Sequence, residues 1–276
     1  MTYVQLFLRY ELELEKAHEE PESLTFTFRN LKNLDFTEFT LLLRQEVSQE
    51  DRQLIERIAD RLLAHEPAQY IIGHEVFHDL RFKVDERVLI PRPETAELVD
   101  LILAENEAEQ VDLLDLGTGS GAIAIALAHS RPDWQVQASD ISQKALSLAR
   151  ENAQANQVVV DFQQSDVFSQ LSGSFDIIAS NPPYISEADK HEVGLNVLNS
   201  EPHLALFADE EGLAIYRKIA DQTGKYLKPS GKIYLEIGYK QGQIVSQIFQ
   251  KVFPGKRVRV LPDQFGQDRM VVVDNG

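Results

Sequence analysis

The chain contains no cysteine. It therefore forms no disulfide, holds no thiolate-bound metal and uses no sulfur nucleophile. Basic residues are also few: 27 Lys and Arg stand against 44 Asp and Glu, a formal net charge of −17. A protein that lives on phosphate contacts needs basic surface to release counterions. The balance disfavours nucleic acid as the main partner and favours a protein with a basic surface of its own. Long apolar runs are missing too, and none approaches the ~18 residues that mark a membrane span. The segment Met1–Glu20 is acidic and lacks the basic and apolar regions of a signal peptide. These absences lead us to expect a cytoplasmic protein without a membrane partner. The rest of the composition is that of a globular chain, and 276 residues suffice for one large or two modest domains with a real core.

Apolar spacing divides the chain. Phe36, Phe39, Leu42 and Leu43 recur at helical intervals, as do Leu54, Ile55, Ile58, Leu62 and Leu63. Ser48 with Asp51 makes a capping pair for the second helix, and Pro67 closes it. The segment through Arg29 has no clear period. Between Val76 and Ile90 the pattern becomes strand-like, suggesting a hairpin that bridges two domains. The expected organisation is a helical docking domain at 1–73, a β-hairpin linker at 74–92 and an α/β domain at 93–276. Within the last, strands are expected at 111–116, 134–139, 158–163, 175–180, 231–237, 257–261 and 269–273. Helices are expected near 121–130, 142–155, 210–227 and 241–252, beside one beginning near Thr95. Such alternation implies a mostly parallel sheet covered on both faces, its last two strands forming an antiparallel hairpin.

Asn181-Pro182-Pro183-Tyr184 follows the apolar run Phe175–Ser180. Two prolines cannot continue a ladder, and each fixes φ and biases its predecessor toward extended geometry. The result is a stiff bend at a strand end. The Asn181 carboxamide and the main-chain carbonyls form acceptors for an –NH2 group, and Tyr184 offers a flat face. The plainer reading of these four residues alone is a proline-rich loop with one exposed Tyr.

Asp115-Leu116-Gly117-Thr118-Gly119-Ser120-Gly121 ends the first expected sheet strand and opens a helix. Such glycines allow a tight turn and a close backbone approach to a ligand at a helix N-terminus. With Ala122 the segment also satisfies the dinucleotide fingerprint, so the loop alone is equally compatible with a nicotinamide or flavin. The acids shift the balance. Asp115 would repel a pyrophosphate but welcome an ammonium group. Asp140, ending the next strand, sits where an acid grips ribose hydroxyls, with a cap on the following helix as the lesser alternative. Asp166 and Phe168 follow the third strand and would flank an adenine, with core packing as the alternative for Phe168. A cofactor with adenine, ribose and an amino-acid head but no phosphates answers this set, and S-adenosylmethionine fits.

Together, Asp115–Gly121 and Asn181–Tyr184 resemble the class I S-adenosylmethionine-dependent methyltransferases that act on planar nitrogen. Pro67–Gly73, Leu89–Thr95, Glu201-Pro202 with Ala205-Leu206, and Leu235–Gly238 narrow the resemblance to the HemK/PrmC family. That family methylates the side-chain amide of the glutamine in the Gly-Gly-Gln loop of peptide chain release factors. The resemblance implies a Rossmann-like seven-stranded fold. Asp115, Gly117, Thr118, Gly119, Ser120, Gly121, Asp140, Asp166, Phe168 and Asn181 would hold the cofactor. Asn181, Pro182, Pro183 and Tyr184 would hold the glutamine, with Asn181, Pro182 and Tyr184 acting on it. The helical N-terminal domain would dock the release factor. The chain departs from the family pattern in Met1–Arg29, at Ala96, at Ala208-Asp209 and at Phe168, where some members carry Trp.

Other readings compete. The same tetrapeptide suits the exocyclic amine of a flipped adenine in DNA, which the net charge opposes. A glutamine of a ribosomal protein is a further alternative. A protein that merely binds the cofactor would be expected to carry a damaged loop or tetrapeptide, and both are intact. His74-Glu75-Val76-Phe77-His78 spells the zinc-protease pattern, which requires both histidines on one helical face. Gly73 before it and the strand-forming Val76 and Phe77 argue against a helix, so no metal is expected.

Overall fold

The computed structural model describes all of residues 1–276. Five helices come first: α1 (Tyr3–Lys16), α2 (Glu22–Lys32), α3 (Phe36–Leu42), α4 (Gln49–Leu63) and α5 (Ala68–Ile72). A hairpin, β1 (His74–Phe77) and β2 (Leu80–Lys83), leads to α6 (Pro93–Glu105). Next come β3 (Asp112–Leu116), α7 (Ala122–Ser130), β4 (Gln135–Asp140), α8 (Gln143–Ala155), β5 (Asp161–Gln164) and β6 (Phe175–Ser180). A 3-10 turn and three short helices follow, α9 (Leu195–Ser200), α10 (His203–Leu206) and α11 (Asp209–Gly212). The chain ends with α12 (Ala214–Thr223), β7 (Leu227–Glu236), α13 (Gly242–Val252), β8 (Arg257–Pro262) and β9 (Asp268–Asp274). No helix is long and apolar enough to cross a membrane.

Two compact units emerge. One comprises Met1–His74 with Val193–Glu201; the other comprises Glu75–Glu192 with Pro202–Gly276. In the first, Tyr3, Leu6, Phe7, Tyr10 and Leu14 of α1 face a core that also contains Phe28 and Phe39. Phe7 meets Phe28 edge-on at 5.4 Å, the geometry that aromatic quadrupoles favour. Ser48 caps α4 by accepting from the Asp51 backbone N–H at 3.0 Å. The Asp51 carboxylate also accepts from the Tyr3 hydroxyl and from Lys32 Nζ, tying three helices to one acid. Pro67 begins the short α5 as its N-cap instead of merely ending α4. Ser200 Oγ donates to the His65 carbonyl at 3.2 Å, which helps explain why Val193–Glu201 joins this unit.

The second unit is a seven-stranded sheet in the order β5-β4-β3-β6-β7-β9-β8. Strands β5, β4, β3, β6 and β7 are parallel, and β9 is antiparallel to both its neighbours, β7 and β8. This is the expected class I methyltransferase arrangement, with β8 and β9 pairing as the terminal hairpin. Chain order reverses between β3 and β6, the kind of position where open α/β sheets bind ligands at the carboxyl ends of their strands. Helix α7 is apolar all round, with Ala122 to Ala128 buried, because it lies inside a layer rather than at a surface.

The β1–β2 hairpin groups with the sheet, correcting its expected place as a separate linker. Phe77, Leu80 and Phe82 enter the same core as Leu98, Val99 and Ile102 of α6. His74 opens strand β1 and His78 follows it in a turn at φ 50°, so the two share no helical face. The single helix expected over 210–227 is broken. Glu210 and Glu211 adopt φ of 54° and 60°, making α11 a left-handed kink, and α12 ends at Thr223.

Candidate functional site

The cleft opens at the carboxyl ends of β3, β4 and β6. Parallel register places Leu116 opposite Ser139 on one side and Ser180 on the other. Ser180 Oγ donates to the Leu116 carbonyl at 2.7 Å, and the Thr118 N–H donates to the Ser139 carbonyl at 2.9 Å. These bonds hold the glycine loop between its flanking strands. Gly117, Thr118, Gly119 and Ser120 line the cleft, as do Asp140, Asp166 and Asn181 with both prolines.

Gly121 stands behind the lining as the N-cap of α7, at φ +88°. A Cβ there would approach Ile125 Cδ1 to 2.6 Å and Ala149 Cβ to 3.3 Å. Glycine is thus required for both the left-handed backbone and the close packing of α7 against α8.

Asp115 is fully buried behind the loop. Its Oδ2 accepts from the Thr118 hydroxyl at 2.6 Å and from the Ala124 N–H at 3.2 Å, whereas Oδ1 has no partner. Burial pushes its carboxyl up to about 7 against those hydrogen bonds, with a smaller contribution from Asp140. A buried oxygen without a donor is costly, and Asp115 itself lies behind the residues that line the cleft. Asp140 braces the loop directly. Its Oδ2 accepts from Gly119 N–H at 2.9 Å and its Oδ1 from Ser142 N–H at 2.8 Å. The N-cap of α8 is Ser142, whose hydroxyl accepts from Ala145 N–H. Asp140 therefore keeps free lone pairs at the cleft wall.

Four expected residues lie outside the lining: Asp115 and Gly121 behind the loop, and Phe168 and Tyr184 elsewhere. Phe168 does not line the cleft. It is fully buried and stacks on Tyr226 with ring centroids 4.6 Å apart, in the core shared by α12 and α13. Its neighbour Val167 takes the place at the cleft. Val167 does so at φ 53°, unusual for a β-branched residue. Asp166 reaches the cleft while pairing with Lys218 Nζ. Tyr184 also lies outside the lining: its ring packs against the same core as Phe168 and beside Gly238. Its carbonyl accepts from Gln241 Nε2 at 2.9 Å, so it anchors the end of the bend instead of offering a face to the cleft.

Three important residues carried no separate signal in the sequence. Asn181 Nδ2 donates to Thr95 Oγ1 at 3.0 Å, and Thr95 Oγ1 donates to Glu236 Oε2 at 2.6 Å. Thr95 and Glu236 are 4% and 2% exposed, so water does not compete for these bonds. Burial pushes the Glu236 carboxyl up to about 7, while Thr95, Arg269 and Asn181 hold it down. Asn152, from α8, accepts from Lys83 N–H at 2.8 Å and donates to the Lys83 and Ser120 carbonyls at 3.1 and 2.9 Å. It stitches the hairpin to the glycine loop. Thr95 and Glu236 stand within Leu89–Thr95 and Leu235–Gly238, but nothing in those stretches announces that they meet.

The comparisons agree with this architecture. The Methyltransferase small domain family matches residues 95–204 and the PrmC N-terminal domain matches residues 5–73. A methyltransferase structure from Pyrococcus furiosus shares the fold, with a TM-score of 0.54 at 20% identity over 71% of this chain and 89% of that one. The release factor glutamine methyltransferase of Lactococcus lactis is 54% identical, over 92% of this chain and 94% of its own. That of Streptococcus pneumoniae is 62% identical over 100% of this chain and 99% of its own. With a bend, a glycine loop and an N-terminal domain all accounted for, the chain belongs to the release factor glutamine methyltransferase family, HemK/PrmC.

Proposed function

We propose that this protein transfers a methyl group from S-adenosylmethionine to the side-chain amide nitrogen of the glutamine in the Gly-Gly-Gln loop of a peptide chain release factor. The carrying observation is the direction of the Asn181 carboxamide. Its Nδ2 donates back to Thr95 Oγ1, leaving Oδ1 as the atom available to a donor in the cleft. A primary amide presents just such a donor.

The chain's residues fit S-adenosylmethionine. The orphaned Asp115 Oδ1 suits an ammonium group, Asp140 suits ribose hydroxyls, and Ile141 and Val167 supply apolar wall for the base. Phe168 is not part of that set. When bound, the cofactor supplies an electrophilic methyl on a sulfonium sulfur. The task left to the protein is alignment, because an amide nitrogen has its lone pair delocalised into the carbonyl. Well-oriented reactants gain ~7–11 kcal/mol in effective molarity. Asn181 Oδ1 and the Pro182 carbonyl accept the two amide hydrogens and point the nitrogen at the methyl. Both acceptors also stabilise positive charge growing on nitrogen. Tyr184 serves by anchoring the bend through Gln241. The helical unit of residues 1–74 docks the release factor in this reading.

Incubation with labelled S-adenosylmethionine, release factor, a Gln-substituted release factor and DNA tests the assignment. Label is expected in the unmodified release factor alone. Transfer to DNA instead would replace it with the adenine reading.

A further inference from the structure

We propose that Glu236, acting together with the Thr95 hydroxyl, is the positioning residue that decides which atom of the Asn181 carboxamide faces the substrate. This rests on the reading of Asn181 as the acceptor for the amide. A carboxamide has nearly the same shape in its two flipped states, so sterics alone choose weakly between presenting oxygen and presenting –NH2. The partner behind it must choose.

Here the partner is a directed chain. A threonine hydroxyl has one hydrogen, and with Glu236 ionised that of Thr95 goes to Glu236 Oε2 at 2.6 Å. Oγ1 can then only accept from Asn181, which it does at 3.0 Å. Flipping Asn181 would set its oxygen against the Thr95 oxygen and leave a nearly dry contact without a hydrogen. The carboxylate is itself well placed. It ends β7, in register with Met270 of β9, and its main-chain carbonyl accepts from the buried Tyr216 hydroxyl at 2.8 Å. Strand, helix and bend thus meet at one acid that never reaches the cleft lining.

Glu236→Gln probes the arrangement with little change of shape. Glutamine has one oxygen where glutamate has two, and turning its –NH2 toward Thr95 would reverse the direction of the hydroxyl's hydrogen bond. The Asn181 flip then becomes competitive. With release factor as substrate, kcat is expected to fall by roughly tenfold or more while KM for S-adenosylmethionine changes by less than about threefold. Thr95→Val should behave alike, and Thr95→Ser should restore most of the rate. A readout independent of turnover is the Asn181 side-chain NH2 pair in a ¹⁵N correlation spectrum of the full chain, identified by its loss in Asn181→Ala. The pair should exchange slowly with solvent in the parent protein and rapidly in Glu236→Gln. An unchanged kcat in both Glu236→Gln and Thr95→Val, or identical Asn181 exchange in parent and Glu236→Gln, would overturn the proposal. If the parent protein leaves release factor unmethylated yet the exchange difference is found, the positioning role stands and the substrate assignment falls.

Discussion

Gly212 lies directly beneath the carbonyl of Tyr184, so close that a Cβ on it would stand 2.1 Å from that oxygen. It also sits at φ +81°, so a side chain here meets backbone strain as well as a clash. Gly212→Ala is expected to push the Asn181–Tyr184 bend out of place. Thermal unfolding should register a loss of about 1–3 kcal/mol. Methyl transfer should fall further than that loss explains, since displaced acceptors misalign the nitrogen. Parent-like activity in a folded Gly212→Ala protein would show that the bend tolerates the shift.

Asn181→Ala removes the side-chain acceptor but leaves the glycine loop, Asp115 and Asp140 untouched. Turnover is expected to become undetectable while S-adenosylmethionine still binds, within roughly an order of magnitude of the parent affinity. Calorimetric titration alongside a methylation assay separates these two quantities.

Asn152→Asp keeps the volume of the side chain and loses both donors. The Lys83 and Ser120 carbonyls would then face a carboxylate in a site 1% exposed. A cost of roughly 3 kcal/mol or more is expected for the unpaired buried charge. Cofactor affinity should also drop, because Ser120 belongs to the glycine loop. Chemical denaturation and cofactor titration check the two effects.

In the proposed reading, where Asp115 receives the cofactor's ammonium group, its carboxyl, pushed up to about 7 by burial, makes cofactor binding pH-dependent. An ammonium group prefers the ionised form, so binding below about pH 7 must release a proton. Affinity for S-adenosylmethionine is expected to rise with pH through that region and then level off. Calorimetry in buffers of different ionisation enthalpy should find the release at pH 6 and little of it at pH 8.5. The sign for stability is the reverse: the raised group favours folding most below the unfolded carboxylate range, and this contribution is lost as pH rises through about 7.

Phe168→Ala separates packing from binding. Removing a fully buried ring stacked on Tyr226 is expected to destabilise the fold by about 3–5 kcal/mol. Denaturation should report that loss, while cofactor affinity at a temperature where the variant is folded should change little. An affinity loss without a stability loss would return Phe168 to the site.

The parallel strands were legible because each is a short apolar run ending at a turn signal. Asp112–Leu116 and Phe175–Ser180 fall almost where spacing placed them. Helix α1 was obscured by a second apolar row. Val4, Leu8 and Leu12 are exposed beside the buried Leu6, Phe7, Tyr10 and Leu14, which blurs the helical period. Strand β7 begins at Leu227, four residues earlier than expected, because Pro229 and Gly231 read as breakers. Phe168 looked like a base-stacking residue because spacing along a loop does not say which way a ring turns. The Thr95–Asn181–Glu236 contact was beyond reach for a different reason. Its members come from α6, the loop after β6 and the end of β7, and only tertiary structure joins them.

The inward turn of Asn181 also bears on how many methyl groups a glutamine can receive. In the proposed function, an unmodified amide offers two hydrogens to the acceptor pair formed by Asn181 and Pro182. A singly methylated amide offers one, and its new methyl occupies the space of the other. The product is therefore held by one hydrogen bond fewer, about 0.5–1.5 kcal/mol, and its nitrogen can no longer be aimed for a second transfer. A clamp built only of acceptors thus counts hydrogens, stopping after one methyl and favouring release.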